Sequence, residues 1–208
     1  MFQLDESLLE RPRQVLAARD DLFWVLGGAC TGKSTVCRTL AERTTATVLD
    51  MDARIYGGFS YDPERHPAMK TWFSANNPLA WIMGLSPADF DALNRASNAE
   101  FLDLLVDELR DAVGPIIVDG GFTHPSVLTS VIPSTRVVCL ATSPELSARC
   151  WEEDEERADM RRWIQKLENP VAMWAKFLEH DRRMSETMVR ESEESQIIVY
   201  TRQQETPV

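Results

Sequence analysis

The chain has 208 residues, 44% of them hydrophobic, with 33 Asp and Glu against 22 Lys and Arg, a formal net charge of −11. That length suits one α/β domain burying roughly 70% of its unfolded surface, and the acidic balance argues against a nucleic-acid partner, since no basic run stands out to override it. No stretch approaches the ~18 apolar residues of a membrane span, and Met1-Phe2-Gln3-Leu4-Asp5-Glu6 has neither the basic flank nor the apolar core of a signal peptide, so a soluble cytoplasmic protein is expected.

Residues 4 to 20 read as a short amphipathic helix. Its stripe Leu8, Leu9, Val15 and Leu16 is interrupted near Pro12, and a place against the sheet edge is expected. Leu22-Phe23-Trp24-Val25-Leu26 is the first strand. It feeds Gly27-Gly28-Ala29-Cys30-Thr31-Gly32-Lys33-Ser34-Thr35, which fits G-x-x-x-x-G-K-[ST] at every position, and a helix from Ser34 to about Glu42 follows. The glycines let the chain turn with no side chain in the way, so the N–H groups of Gly28, Ala29, Cys30, Thr31, Gly32, Lys33, Ser34 and Thr35 can gather on a nucleotide's phosphates. Lys33 supplies a mobile cation for the β- and γ-phosphates, and the Ser34 hydroxyl is a magnesium ligand. A plain glycine turn would ask for neither.

Cys30, Cys37, Cys139 and Cys150 show no C-x-x-C pair and no metal spacing, and read as reduced thiols. Cys30 sits where a helix N-terminus can lower a thiol's pKa. A small residue that fits the loop is the simpler reading.

Ala46-Thr47-Val48-Leu49-Asp50-Met51-Asp52 reads as a second strand with Asp50 and Asp52 on one face at its carboxyl end, where open α/β sheets bind ligands. From Arg54 to about Ser86 the punctuation by Gly57-Gly58, Pro63, Pro67 and Asn76-Asn77-Pro78 predicts loops and short helices. Their aromatics, among them Tyr56, Phe59, Trp72, Phe73 and Trp81, suit the wall of an acceptor pocket or the core of a small insertion. Ser86 and Pro87 open a long helix to Val113 with Phe90, Leu93, Phe101, Leu104, Leu105 and Leu109 inward.

Pro115-Ile116-Ile117-Val118-Asp119 is a third strand, apolar throughout as a doubly covered parallel strand should be. Its Asp119 has the place of a carboxylate that orients magnesium's water, and Gly120 and Gly121 let a substrate lie against the backbone. Arg136 to Thr142 is the fourth strand, with Ser143-Pro144-Glu145 opening the next helix. The segment 145 to 168 mixes acids with Arg149, Arg157, Arg161, Arg162 and Lys166, the pattern of a solvated helix or of a cover carrying an arginine for phosphoryl charge. A helix over about 171–191, a fifth strand over 196–200 and frayed residues 201–208 complete the chain.

With these motifs placed, the chain resembles the small P-loop kinases of the nucleoside-monophosphate-kinase fold, and most of all the shikimate and gluconate kinases and the chloramphenicol phosphotransferases. The resemblance covers the sheet and its phosphate loop. It implies one α/β domain over 1–208: a three-layer P-loop kinase fold with a five-stranded parallel sheet, a helical acceptor-site insertion at about 54–113 and a lid at about 145–168. It implies ATP and Mg²⁺, with Ser34, Asp50 and Asp119 serving the metal. Lys33 and an arginine, Arg149 or Arg157, would be catalytic. Asp52 would be the acceptor's base. Apart from the resemblance, the residues themselves offer Gly120, Gly121, Trp72 and Trp81 to a small-molecule hydroxyl acceptor, since the aromatic segment from Arg54 to Pro87 departs from the family's pattern. Where shikimate kinases carry a glycine triplet after the third strand, this chain has Asp119-Gly120-Gly121, nearer to the antibiotic phosphotransferases.

Two other readings make different demands. A nucleoside or nucleotide kinase needs an acceptor site that stacks a base, which Phe59, Trp72, Phe73 and Trp81 can offer. A non-catalytic ATP-binding regulator needs only the loop; a GTPase is disfavoured because no Asn-Lys-x-Asp occurs.

Overall fold

The structure, a computed structural model, describes residues 2–57 and 59–202. The apolar runs form strands β1 (Leu22–Gly27), β2 (Thr47–Asp50), β3 (Ile116–Asp119), β4 (Val137–Ala141) and β5 (Ile198–Thr201). They make one all-parallel sheet in the order β2-β3-β1-β4-β5. Strand order reverses beside β1, so the ends of β1 and β3 border the crevice where such sheets take ligands.

Ten α-helices are seen among the described residues: α1 (Glu10–Val15), α2 (Lys33–Thr44), α3 (Met51–Gly57), α4 (Pro67–Phe73), α5 (Pro78–Gly84), α6 (Pro87–Leu109), α7 (Pro125–Thr129), α8 (Pro144–Glu153), α9 (Ala158–Ile164) and α10 (Pro170–Glu194). Several begin where a capping side chain precedes a proline at the first position. Asn77 accepts from the Ala80 amide at 3.1 Å, Ser86 from Asp89 at 3.1 Å and Ser143 from Leu146 at 3.2 Å. Each satisfies an N–H the helix cannot, typically worth about 1 kcal/mol.

The two sheet faces are covered unequally. On one, Leu22, Trp24, Leu26, Ile116, Val118 and Cys139 form the main core with Leu102 and Leu105 of α6 and Met188 of α10. On the other, Val25 and Ile117 meet Cys37 of α2. Leu102 and Leu105 have no exposed surface, so truncating either to alanine should cost about 2–5 kcal/mol.

Two expectations need correction. The segment 4 to 20 is a 3-10 turn, Glu6–Leu9, followed by the short α1, and it packs on α6 instead of the sheet edge. Leu8, Leu9 and Leu16 are buried there, and Arg11 reaches Asp103 of α6 at 3.3 Å. Second, Asp50 and Asp52 do not share a strand. β2 stops at Asp50, whose carboxylate accepts from the Ala53 amide at 2.9 Å, and this cap turns the chain into α3 with Asp52 in its first turn.

The region 54–86 holds short helices among loops, as expected, and Asn169 caps the start of α10. Thr201 ends β5 and Arg202 bonds the Cys30 carbonyl, against the fraying expected from residue 201 onward; Gly58 and residues 203–208 lie outside the described residues. No helix among the described residues is long and apolar enough to cross a membrane.

Candidate functional site

The loop between β1 and α2 has the shape its glycines allow. Gly32 takes a φ of 83°, a left-handed turn that costs a glycine little, and Cys30 takes 62°. A β-carbon at Gly27 would come within 2.7 Å of Thr31 Oγ1 and 2.8 Å of the Leu140 carbonyl. Thr31 donates its hydroxyl to the Gly28 carbonyl at 3.0 Å, closing the loop on itself. Among the described residues no protein acceptor takes the N–H groups of Ala29, Cys30, Thr31 or Gly32. Donors gathered at the N-terminus of the 12-residue α2 suit an anion.

Three charged groups meet beside it. Lys33, the first residue of α2, reaches across to the end of β3, where Nζ pairs with Asp119 Oδ1 at 2.8 Å; both side chains are largely buried. Gly120 leaves room for that reach, since a β-carbon there would lie 2.8 Å from Lys33 Nζ. Asp52 feels Lys33, Asp50, Asp119 and Arg157. Crowding by protein is the main cause that pushes its carboxyl up; Lys33 and Arg157 oppose, and Asp50 and Asp119 add to it. Water still reaches Asp52, so the direction matters more than the size.

Arg157 comes from the 3-10 turn between α8 and α9. Its guanidinium lies 4.5 Å from the centre of the Trp151 ring, and its charge acts on the Cys30 thiol. Burial and a hydrogen bond with Cys150 push that thiol up to about 12, with Arg157 opposing. Cys30 is therefore a protonated thiol at neutral pH, and the small-residue reading of it fits.

Other expected residues fall in different places. Ser34 and Thr35 lie in the first turn of α2, and Gly121 is held at φ 79° against Met51. Arg149 is exposed on α8. Trp72 stacks on Phe73 at 4.9 Å and meets Tyr56 edge-on at 6.2 Å. Tyr56 stands one turn after Asp52 on α3 with most of its surface open to solvent, and protein crowded about its hydroxyl, then the charge of Asp52, pushes its phenol up. Trp81 packs edge-on against Phe2 at 6.1 Å beside Leu93 and Ala96, apart from the charged groups.

Some contributors had no sequence signal. Arg202, just past β5, donates to the Cys30 carbonyl at 2.9 Å, and Ser185 of α10 sits where a β-carbon on Gly28 would go. Below them a buried network braces the turn after β3. Asn98 accepts from the amides of Thr123 and His124 at 3.1 and 2.9 Å, and Glu191 takes His124 Nδ1 at 3.0 Å and the Ser126 hydroxyl at 2.5 Å. These partners lie 25 to 67 residues apart in sequence. Only the unusual polarity of α6 and α10 hinted at them.

A magnesium nucleotide fits this donor set. The loop offers amides and a lysine to phosphates, and Ser34 and Asp119 are hard oxygen ligands. Among the described residues no three His, Cys, Asp or Glu side chains gather where they could hold a metal ion. A cavity of about 740 Å³ lies between the end of β4, α8 and α10 and meets the loop at Gly28 and Thr31. Its lining mixes Glu145, Glu179, Glu186 and Glu193 with Arg182 and Arg190, and Arg182 is paired with Glu179 and Glu186.

Compared with known proteins, the chain matches no family model, and no curated protein matches it significantly.

Proposed function

We propose that this chain is a phosphotransferase with a P-loop kinase fold, moving the γ-phosphoryl of Mg-ATP to a hydroxyl of a small molecule. The observation that carries the reading is the Lys33–Asp119 pair beside a loop with unspent N–H donors, with Asp52 and Arg157 near enough for their charges to act on one another.

Mg-ATP would bring the phosphoryl group, and Ser34, Asp50 and Asp119 would hold its metal, which would supply positive charge to the phosphates. The loop amides hold the phosphates. Lys33, paired with Asp119 at rest, turns its ammonium to the phosphoryl oxygens. Asp52 orients the acceptor hydroxyl and takes its proton as the new O–P bond forms and the bond to the ADP oxygen breaks. A carboxylate suffices as base, because in a loose transition state the hydroxyl loses its proton late. Arg157 balances charge on the moving group, and the turn that carries it, with α8 and α9, acts as the lid.

The test is a coupled ADP-release screen over small alcohols, sugars and ring hydroxyl compounds, with Lys33→Ala as the blank. An acceptor that stimulates release in the wild type but not in Lys33→Ala is expected, and Asp52→Asn should lower that rate by about 10²-fold or more with nucleotide affinity kept. Undiminished turnover in Asp52→Asn would remove the base. Nucleotide binding without stimulation by any acceptor would favour a regulatory ATP-binding protein.

A further inference from the structure

Every cation between β2 and β3 is already held by a carboxylate. Residues 51–115 contain five Lys or Arg and ten Asp or Glu. Arg54 pairs with Glu108 at 2.5 Å, Arg65 with Asp103 at 2.6 Å, Lys70 with Glu64 at 3.1 Å, Arg95 with Glu191 at 3.4 Å and Arg110 with Asp107 at 3.5 Å. The insertion that would receive the acceptor therefore has no uncommitted cation. The cations acting most on Asp52 are Lys33 and Arg157, and phosphoryl transfer needs both.

The groups around Asp52 are instead acidic and aromatic. Asp50, at the end of β2, accepts the Ala53 amide at an exposed position. Tyr56, one helical turn beyond Asp52, leaves 72% of its surface open, and behind it Trp72 and Phe73 continue the ring wall. An exposed tyrosine beside a carboxylate is a surface for a flat apolar body, and its ring face attracts a cation. A carboxylate or phosphate placed there would lose water without gaining a partner.

Resting on the phosphotransferase reading, we propose that the acceptor is a ring-bearing alcohol with an amine or no charge, seated on Tyr56 and Trp72, and that acids and phosphate esters are refused. The amine-bearing form is preferred, because carboxylates outnumber cations ten to five over residues 51–115. Nucleoside monophosphates are excluded as acceptors by the same argument; an uncharged nucleoside is not.

The test uses four benzyl alcohols that differ only at the para position: aminomethyl, methyl, carboxylate and phosphate. ADP release should give kcat/KM in the order amine, methyl, then the two anions, with the amine ahead of the carboxylate by about tenfold or more at low salt and by less at high salt. Tyr56→Ala should raise KM for the amine and methyl compounds about tenfold with kcat little changed, and Tyr56→Phe should behave as wild type. Turnover of the carboxylate or phosphate at equal or higher efficiency would overturn the acceptor class and leave the phosphotransferase standing. So would a Tyr56→Ala enzyme with unaltered KM. ADP release stimulated by none of the four, nor by sugars or acids, while wild-type protein binds Mg-ATP, would overturn both.

Discussion

Lys33 and Asp119, 86 residues apart in the chain, meet at 2.8 Å at the ends of adjoining elements, and the glycine after Asp119 leaves the lysine its path. The pair holds a cation in place while no phosphate is present. Asp119→Asn should therefore weaken nucleotide binding less than Lys33→Ala does, since the asparagine still contacts the lysine but the alanine removes the charge. Titrating each variant with Mg-ATP by tryptophan fluorescence checks the order.

Gly120 and Gly121 should respond differently to the same change. Both have left-handed φ, 72° and 79°, so alanine strains either by about 1–3 kcal/mol. At Gly121 the new methyl also overlaps Met51, which is fully buried, and the combined loss of about 3 kcal/mol or more should lower Tm by about 6–12 °C. At Gly120 the methyl meets the flexible end of Lys33, so stability should fall less and turnover more. Thermal melts set beside ADP-release rates separate the two.

Gly28→Ala should be correctable at a distance. Its methyl would overlap the Ser185 hydroxyl while lying 3.4 Å from the Ser185 β-carbon, an ordinary contact. Nucleotide affinity lost in Gly28→Ala should largely return in Gly28→Ala/Ser185→Ala. A double-mutant cycle with no coupling between the two would show that α10 does not press on the loop.

Arg157 and Arg149 looked equivalent as sequence, and the structure separates them. Arg157→Gln should reduce kcat by about 10²-fold or more, as loss of a charge-stabilising donor does, whereas Arg149→Gln should remain near wild type. Steady-state kinetics on both variants decides.

The Glu191 network gives the fold an acid limit. His124 and Ser126 overcome the penalty of burial and hold the Glu191 carboxyl down at about 2. A carboxylate whose folded pKa lies below its unfolded value near 4.5 contributes fully above that value and loses its contribution as pH falls toward 2. Glu191→Gln should therefore lose about 3 kcal/mol at pH 7 and little near pH 2, and the wild-type and variant stability curves should converge between pH 4.5 and 2. Urea unfolding across that range is the measurement.

Much of this was legible in the sequence, for physical reasons. Ile116 to Asp119 is apolar because both faces of its strand are covered, and Ser86-Pro87 and Ser143-Pro144 announce helix starts by satisfying amides. Asp52 was misplaced because Val48, Leu49 and Met51 continue a strand-like run, while the Asp50 cap that ends it is visible only as Asp-x-x-Ala, a weak signal. Trp72 and Trp81 are indistinguishable as letters; that one packs on the main core beside Tyr56 and the other on Leu93 and Ala96 depends on tertiary packing that leaves no local pattern. The hold of Arg202 on Cys30 spans 172 residues and the turn brace of Asn98 joins two helices, so neither leaves a local pattern.

The Cys30 thiol, half-buried and pushed up to about 12 by burial and by Cys150, should be silent toward alkylating reagents. That silence makes it an internal clock. The rate at which a small iodoacetamide label appears at Cys30, read by mass spectrometry, measures how often the turn breathes, and anything that settles into its ring of amides should slow the label by the fraction of time it stays.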